Sequence, residues 1–539
     1  MSRRRNRNHN NPIRTPADID RQIADMDRMN VCMELKKLLV YAFERRVYRL
    51  DSSSKDYLYF CLANYFALNE SSYESFGNVL DLMPLEILSQ KTAKCLSFMP
   101  GVHKEVLELL EIKCEAHPHQ TRVISMVIDE FPITPWVVTF AGRLYGVEDD
   151  GVNQTDIPAK FVTQIWITSL AGIWVTPLAY YFTSQPATAS QLKSYIFECI
   201  TKLKSIDLDV VVVNTKLRIN FLELSELLGV GPDKQTFKVE NSEVVFMFDA
   251  SHMMCVTRNN LMKHSLKMED GGETSWKHIK TFFVKESGSD KKNTKLTESH
   301  IKPNKYERTL PALAIDVLSN TVAIEMKAYV ESGKLSKEVL ATAECISIFD
   351  RLLHMLNSVH ESSVNEYASG YKATKQQTEF LEKVIRFLQT LKVYDNKGED
   401  KTGEVKFVNA WLTTVRGLMK LWEYVKEREY EFLLTGNISS VPLDKFVNTC
   451  RLIMFGYNNP SPLELLSSFR DVSVASYFTF ETPLPMEDMD IETLALLVYK
   501  RIPAVRHNLG NQSQQSLVSI DREECITMML ERLCLDMRF

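Results

Sequence analysis

The sequence has no closely spaced cysteine pair and no long hydrophobic run. Its 539 residues include ten cysteines, and no two of them form a Cys-x-x-Cys pair. This argues against a structural zinc site and a disulfide framework, and it is typical of a reducing compartment. No hydrophobic run approaches the roughly 18–20 residues that cross a bilayer, and the opening MSRRRNRNHNNPIR lacks the apolar segment of a secretory signal. We therefore expect an intracellular protein with no membrane partner.

A global positive charge is also missing. The formal net charge is -5, so any contact with nucleic acid has to come from local basic patches. One patch is the N-terminal arm, which has no acidic residue before Asp18 and carries five arginines: Arg3, Arg4, Arg5, Arg7 and Arg14. The arm predicts nuclear localisation or contacts with DNA phosphates. A solvated, disordered tail is an equally good interpretation of it.

Helical periodicity dominates the region that follows the arm. Residues 16–80 form helical patterns, which suit either a dimerising helical pair or, more simply, a helical subdomain. Residues 85–114 predict a short helix, a Pro-Gly break and a second helix, with Lys91 and Lys94 on the polar side of the first. A DNA-binding helix-turn-helix has this pattern, and so do many ordinary helical hairpins. A homodimer therefore remains open.

The periodicity changes to that of strands after residue 121. Strands are predicted at 122–131, 136–145, 161–173 and 177–182, followed by an amphipathic helix at 189–203 and a buried strand at 210–213. Another strand is predicted at 244–249. This order is that of an RNase H-like α/β core. Trp174, Tyr180 and Tyr181 lie on these strands and are predicted to be core residues rather than a surface for base stacking.

A long helical block interrupts the α/β pattern, with helices predicted at 311–332, 338–356, 377–391 and 408–429 and a flexible loop at 286–295. We predict a mixed fold, α/β plus all-α, in which a large helical insertion splits the RNase H-like core. The predicted segments are a basic arm (1–15), a helical region (16–118), the first part of the core (119–257), the insertion (258–436), the closing helix of the core (437–470) and a tail with short amphipathic helices (471–539).

Seven short segments, in order, resemble landmarks of the P-element-type transposase family, which includes the THAP-type transposases. They are PGVHKEV (100–106), MVIDEF (126–131), IWVTPLAYYF (173–182), FDASHMMCVTRNN (248–260), KLTESHIKPN (295–304), LATAECISIFDRLLHMLNS (340–358) and FGYNNPSPLELLSSFR (455–470). The resemblance implies an RNase H-like domain that is split by a GTP-binding helical insertion. The zinc-coordinating THAP module has no counterpart, since no Cys-x-Cys…Cys-x-x-His pattern occurs.

The resemblance also implies a catalytic site at which three carboxylates hold two Mg²⁺ ions for phosphoryl transfer. The first carboxylate matches Asp129, although a strand-ending surface acid is the alternative. Relatives have Asp-x-Gly at the second position, where this chain has Asn214-Thr215-Lys216. At the third position, where relatives have an Asp and a Glu in a helix after the insertion, Val441 replaces the Asp and the shorter Asp444 replaces the Glu. We expect only a remnant of the site, with no metal bound and no DNA cleavage.

The nucleotide site that the resemblance implies is also incomplete. Lys295 matches the phosphate-side Lys of the family, and Asn357 matches the Asn of its Asp-x-x-Asn purine contact. His354 stands in place of the Asp of that contact, and Pro311 replaces a Val that lines the site. Without the carboxylate the guanine edge has no bidentate acceptor, and the chain has no Walker A loop. We therefore expect neither GTP nor Mg²⁺ as a cofactor.

Three functions follow from these patterns. The preferred one is a domesticated, catalytically inert nuclear protein that binds DNA or chromatin, with nuclear protein partners docking on the insertion and the C-terminal segment. The second is a divergent active transposase or nuclease in which Asp249 or Glu130 replaces the missing acid. The third is a GTP-responsive switch that does not cut DNA. His252, three residues after Asp249, is a candidate metal ligand, although a core role is favoured.

Overall fold

The computed structural model describes residues 98–478 except 116–121, 141–142, 289–291 and 454–458, and it describes scattered residues between 58 and 91. The chain divides into two compact units: Met1–Phe98 with Val474–Glu481, and Met99–Ser473 with Thr482–Phe539. In the first unit, Tyr73 packs edge to face on Tyr65 at 5.7 Å and donates a hydrogen bond to the Met83 carbonyl at 2.8 Å. Among the described residues, no helix is both long enough and apolar enough for a membrane span.

The second unit is built on an eight-stranded mixed sheet in the order β5-β4-β7-β6-β1-β8-β10-β9. A three-stranded sheet (β12-β11-β13) and a two-stranded sheet (β2-β3) accompany it. The strands are β1 Val123–Pro132, β2 Val138–Phe140, β3 Arg143–Tyr145, β4 Val147–Asp149, β5 Gln154–Pro158, β6 Phe161–Ser169, β7 Val175–Thr183, β8 Asp209–Thr215, β9 Thr236–Val239, β10 Ser242–Phe248, β11 His264–Lys267, β12 Glu273–Thr274 and β13 Lys392–Asp395.

Helices cover the large sheet and form most of the insertion. They are α1 Lys104–Glu115, α2 Ala189–Lys204, α3 Ile219–Leu227, α4 Ala250–Leu261, α5 Trp276–Ser287, α6 Glu298–Ile301, α7 Pro311–Val317, α8 Asn320–Glu331, α9 Val339–Leu356, α10 Lys375–Thr390, α11 Phe407–Lys426, α12 Val441–Ile453 and α13 Pro462–Phe478. Short 3₁₀ turns span Glu307–Thr309, Glu366–Ala368 and Thr435–Ile438.

Strand β1 lies at the centre of the large sheet. It pairs antiparallel with β6 and parallel with β8, which in turn pairs parallel with β10. The crossover from β7 to β8 is α2, whose first turn is closed by a capping box between Thr188 and Gln191. Because β1, β8 and β10 are parallel, their carboxyl ends meet at one edge of the sheet. This arrangement is the predicted RNase H-like order.

Two predicted elements are broken where the sequence pattern is continuous. The strand predicted at 136–145 is a hairpin of two three-residue strands, β2 and β3. The helix predicted at 311–332 is two helices, because the Ser319 side chain accepts a hydrogen bond from the Val322 amide and so caps α8. A capping side chain competes with continuation of the helix. The strand predicted at 161–173 ends at Ser169, before a turn at Gly172 with φ +74°.

The residues between α4 and α12 include the helical block and the three-stranded sheet. The fully buried Arg258 of α4 ties this block to the core, since its guanidinium donates to the Arg308 carbonyl at 2.7 Å. Helix α11 returns to the large sheet, where Thr414 Oγ1 accepts a hydrogen bond from the Phe248 amide at 3.0 Å. Although α11 falls within the predicted insertion (258–436), it packs directly on β10.

A glycine sets the close approach of α11 to β10. A Cβ atom at Gly417 would lie 2.9 Å from Met247 Cγ and 3.3 Å from the Phe246 carbonyl oxygen. Ala normally stabilises a helix interior relative to Gly by about 0.5–1 kcal/mol. We expect Gly417→Ala to lower the free energy of unfolding instead, by about 1–3 kcal/mol, because it overpacks this contact. Urea unfolding measures the change, and the exposed Asn409→Ala in the same helix serves as control. A stabilised Gly417→Ala protein would contradict the packing described.

Candidate functional site

Two acidic residues that are far apart in sequence meet at the carboxyl edge of the parallel strands. Asp129 lies near the end of β1 and is only 2% exposed. Asp444 lies in the first turn of α12, which follows the helical block in the sequence. The RNase H-like core thus brings together the first and third positions that sequence analysis singled out. The segment that follows β8 lies between them.

Lys216, in this segment, contacts both acids. Its Nζ atom lies 2.9 Å from Asp129 Oδ2 and also donates a hydrogen bond to Asp444 Oδ1. A second cation, the Arg218 guanidinium, lies 3.3 Å from Asp129 Oδ1. An ammonium group therefore occupies the space between the two surviving carboxylates.

The charges at this edge reinforce one another. Burial on its own raises the pKa of Asp129, but Arg218 and Lys216 outweigh it and hold that pKa below its ordinary value. Burial likewise disfavours the charge on Lys216, yet Asp129 and Asp444 raise the pKa of Lys216 above its usual range. Burial raises the pKa of Asp444 against the attraction of Lys216, whereas Asp129 and Lys216 are both held in their charged forms at neutral pH. The site therefore contains its own cation.

The second acid position is occupied by a neutral amide. Asn214 Nδ2 donates to the Ile438 carbonyl at 2.6 Å, which fastens the 3₁₀ turn Thr435–Ile438 to the sheet. Asn214 Oδ1 is buried and has no hydrogen-bond partner in the part of the chain that the structure describes. It borders a cavity of about 10 Å³, room for one water molecule. This residue supports the fold and supplies no negative charge.

Both acids considered as replacements already accept hydrogen bonds at each carboxylate oxygen. Asp249 caps α4, since Oδ1 accepts from the His252 amide at 2.8 Å and Oδ2 accepts from the Ser440 amide at 2.9 Å. Glu130 Oε2 accepts from the Ala187 amide at 2.6 Å, and its Oε1 accepts from Asn220 Nδ2 at 3.3 Å. Both carboxylates hold loops in place.

His252 is neutral and half-buried. Its ring Nε2 lies 3.3 Å from the Leu217 carbonyl, to which it donates. Burial, together with the nearby positive charges of Lys216 and Arg218, lowers the pKa of His252 to about 4. Among the described residues, no three His, Cys, Asp or Glu side chains are grouped so that they could hold a metal ion. Two carboxylates, an amide and two cations do not fit a pair of Mg²⁺ ions.

The two remnant nucleotide residues lie on different elements. Lys295 is exposed in the segment before α6, whereas Asn357 follows the last turn of α9 and borders the small cavity beside Asn214. His354 lies 3.3 Å from Asp350 Oδ2, and its hydrogen bond with Asp350 raises the pKa of His354. Pro311 is the first residue of α7. His354 offers no carboxylate to a guanine edge, so the residues present do not fit the purine contact of the family.

The other predicted site residues are placed as follows. Lys91 is helical and half-buried, whereas Lys94 and the arginines of the N-terminal arm lie outside the described residues, as does the tail beyond residue 478. Trp174, Tyr180 and Tyr181 are buried, which confirms their predicted core role. Tyr181 stacks on Tyr195 with ring centroids 3.7 Å apart.

Sequence analysis missed the roles of Lys216 and Arg218. The available signal was spacing: both cations follow β8 at the carboxyl edge, where the missing acid was expected. A basic residue two positions after Asn214 predicts a charge that compensates the neighbouring acids.

Comparisons with known proteins agree with this architecture. Residues 98–229 match the TNP-like RNase H N-terminal domain, and residues 251–374 match the TNP-like GTP-binding insertion domain. No curated protein matches the chain in sequence. Among solved structures, the chain is similar to the Drosophila P element transposase in its strand transfer complex, with a TM-score of 0.64 and 16% identity over 85% of this chain and 98% of that one.

The fold and these matches define an RNase H-like protein that is interrupted by an insertion of the GTP-binding type. Residues 98–229 and 251–374 are thus similar to TNP-like domains, and the chain is similar in fold to the P element transposase. The solved structure, at its low identity, supports the fold alone.

The contact of Lys216 with both acids predicts a large effect on stability. Lys216→Met leaves two buried or half-buried carboxylates without their cation, so we expect the free energy of unfolding to fall by about 3–5 kcal/mol. Adding Asp129→Asn should recover part of the loss, since the second change removes a stranded charge. Urea unfolding of the single and double variants measures this coupling.

A matched control is Lys104→Met, which breaks the exposed pair of Lys104 with Glu108 at 3.3 Å. An exposed pair one helical turn apart contributes about 0.3–0.5 kcal/mol. If Lys216→Met were as mild as this control, Lys216 would not be the cation on which the site depends.

Proposed function

We propose that the chain is a transposase-like protein that associates with DNA in the nucleus without cutting it. The observation that carries this proposal is the Lys216 ammonium, which lies between Asp129 and Asp444. Metal-dependent strand cleavage needs carboxylates whose negative charge is available to divalent ions. Here that charge is already neutralised from within the chain.

The balance of charge supports the absence of cleavage. Asp129 and Asp444 contribute two negative charges, and Lys216 and Arg218 contribute two positive ones. A divalent ion would have to displace an ammonium group that both acids stabilise, and Asn214 offers it only a neutral oxygen. The divergent active site built on Asp249 or Glu130 is not favoured, since backbone amides and the Asn220 side chain already donate to the oxygens of these two carboxylates.

Association with DNA is supported by the fold and by local charge. The solved structure that the chain resembles is a strand transfer complex, and the N-terminal arm carries five arginines before its first acid. Domestication, nuclear location, chromatin binding, self-association, and docking of partners on the insertion and the C-terminal segment belong to the same proposal. A GTP-responsive role is not favoured, because His354 stands where the family has the carboxylate that would accept from the guanine edge.

Incubation of the full chain with supercoiled and linear duplex DNA tests the proposal, in Mg²⁺ and separately in Mn²⁺. We expect binding in a gel-shift assay but neither nicking nor strand transfer, both for the wild type and for the conservative variant Asp129→Asn, whose fold circular dichroism verifies. Cleavage by the wild type that disappears in the folded Asp129→Asn variant would show an active enzyme and overturn the proposal.

A further inference from the structure

Helix α5 (Trp276–Ser287) has a solvent face with lysines and no acid. Its inward side is formed by Trp276, Ile279, Phe282 and Glu286, at helical spacing. The opposite side exposes Lys277, Lys280, Thr281 and Val284. The only acid of the helix, Glu286, is 1% exposed and so does not offset the lysine charges at the surface.

Buried Glu286 has a different role, because it orders the chain that follows α5. Its Oε1 accepts hydrogen bonds from the amides of Asn293 at 3.1 Å and Thr294 at 2.9 Å, and the Thr294 hydroxyl donates to Oε2. This anchor positions the neighbouring Lys292, whose Nζ lies 5.9 Å from the centre of the Phe283 ring of α5. A lysine from the following segment is thereby added to one flank of the helix.

A further lysine, Lys334, comes from the turn that follows α8. Lys285 Nζ donates to the Lys334 carbonyl, and Lys334 Nζ lies 4.8 Å from the centre of the Tyr329 ring. Tyr329 in turn packs edge to face on Phe282 of α5. We call the resulting surface the α5 basic face; it consists of Lys277, Lys280, Lys285, Lys292 and Lys334.

The positive charge of this face is uncompensated. Within the described residues, none of its five lysines is in an ion pair, whereas Lys327, Lys375 and Lys383 of the same helical block each lie within 4.0 Å of a glutamate. Residues 276–308 contain nine Lys and Arg against four Asp and Glu, a net charge of +5, although the whole chain carries -5. Positive charge is therefore concentrated in this segment, although the chain as a whole has a net negative charge.

We propose that the α5 basic face binds the phosphate backbone of duplex DNA. This inference rests on the proposed function and gives the DNA a place on the protein. Lysines are sequence-independent partners for phosphates, and each contact releases counterions from the duplex. From Lys277 to Lys285 the helix rises about 12 Å, at about 1.5 Å per residue, which is close to the roughly 12 Å width of the major groove. The lysines can thus reach phosphates on both sides of one groove.

Fluorescence anisotropy with a random-sequence duplex tests the proposal on the full chain over a salt series from about 50 to 200 mM. The variant Lys277→Gln/Lys280→Gln/Lys285→Gln should bind more weakly across sequences. Its plot of log affinity against log salt should lose about two to three units of slope, about one for each phosphate contact removed.

The matched control is Lys327→Gln/Lys375→Gln/Lys383→Gln, which removes the same charge from the same block at lysines that already face acids. It should keep the wild-type slope, and thermal unfolding of both variants verifies the fold. If the first variant kept the wild-type slope, the proposal that the α5 basic face binds DNA would be wrong, but the proposal that the protein associates with DNA would not be affected. A wild type with no DNA binding at all would overturn both proposals, and tighter binding of duplex RNA than of DNA would overturn the choice of partner.

Discussion

The ion pair of Lys216 with Asp129 and Asp444 is the constraint on which the interpretation of this molecule depends. It joins the central strand β1, the segment after β8, and α12, which enters the fold only after the whole helical block. A buried carboxylate without a partner is costly, so a chain that keeps Asp129 there needs a cation. In this chain the cation is the side chain of Lys216.

An internal cation separates the two roles that a transposase-like fold can combine. At the carboxyl edge of the sheet, positive charge is turned inward and neutralised by Asp129 and Asp444. On α5, lysines face solvent, and within the described residues none of the lysines of the α5 basic face is in an ion pair. The first arrangement stabilises the fold and withholds ligands from a metal ion, whereas the second leaves charge available to phosphates.

Much of the fold could be predicted from sequence, because the β-branched runs of β1 and β8 and the amphipathic pattern of α2 follow from local burial alone. The break at Ser319 and the hairpin of β2 and β3 could not, since periodicity runs on across them. The loss of the acid at Asn214 was visible in the sequence. That the Lys216 ammonium takes the place of this acid could not be predicted from the sequence. The contact between Lys216 and Asp444 spans 228 positions and depends on how α12 returns to the sheet.

The most direct measurement is a Mn²⁺ titration, followed by electron paramagnetic resonance, of the wild type and of Asn214→Asp/Lys216→Gly. That variant restores the Asp-x-Gly of the family and removes the internal cation; circular dichroism verifies that it folds. If Lys216 takes the place of the metal ions, the variant binds Mn²⁺ and the wild type does not at concentrations that saturate the variant. A wild type that binds Mn²⁺ as tightly as the variant would contradict the account.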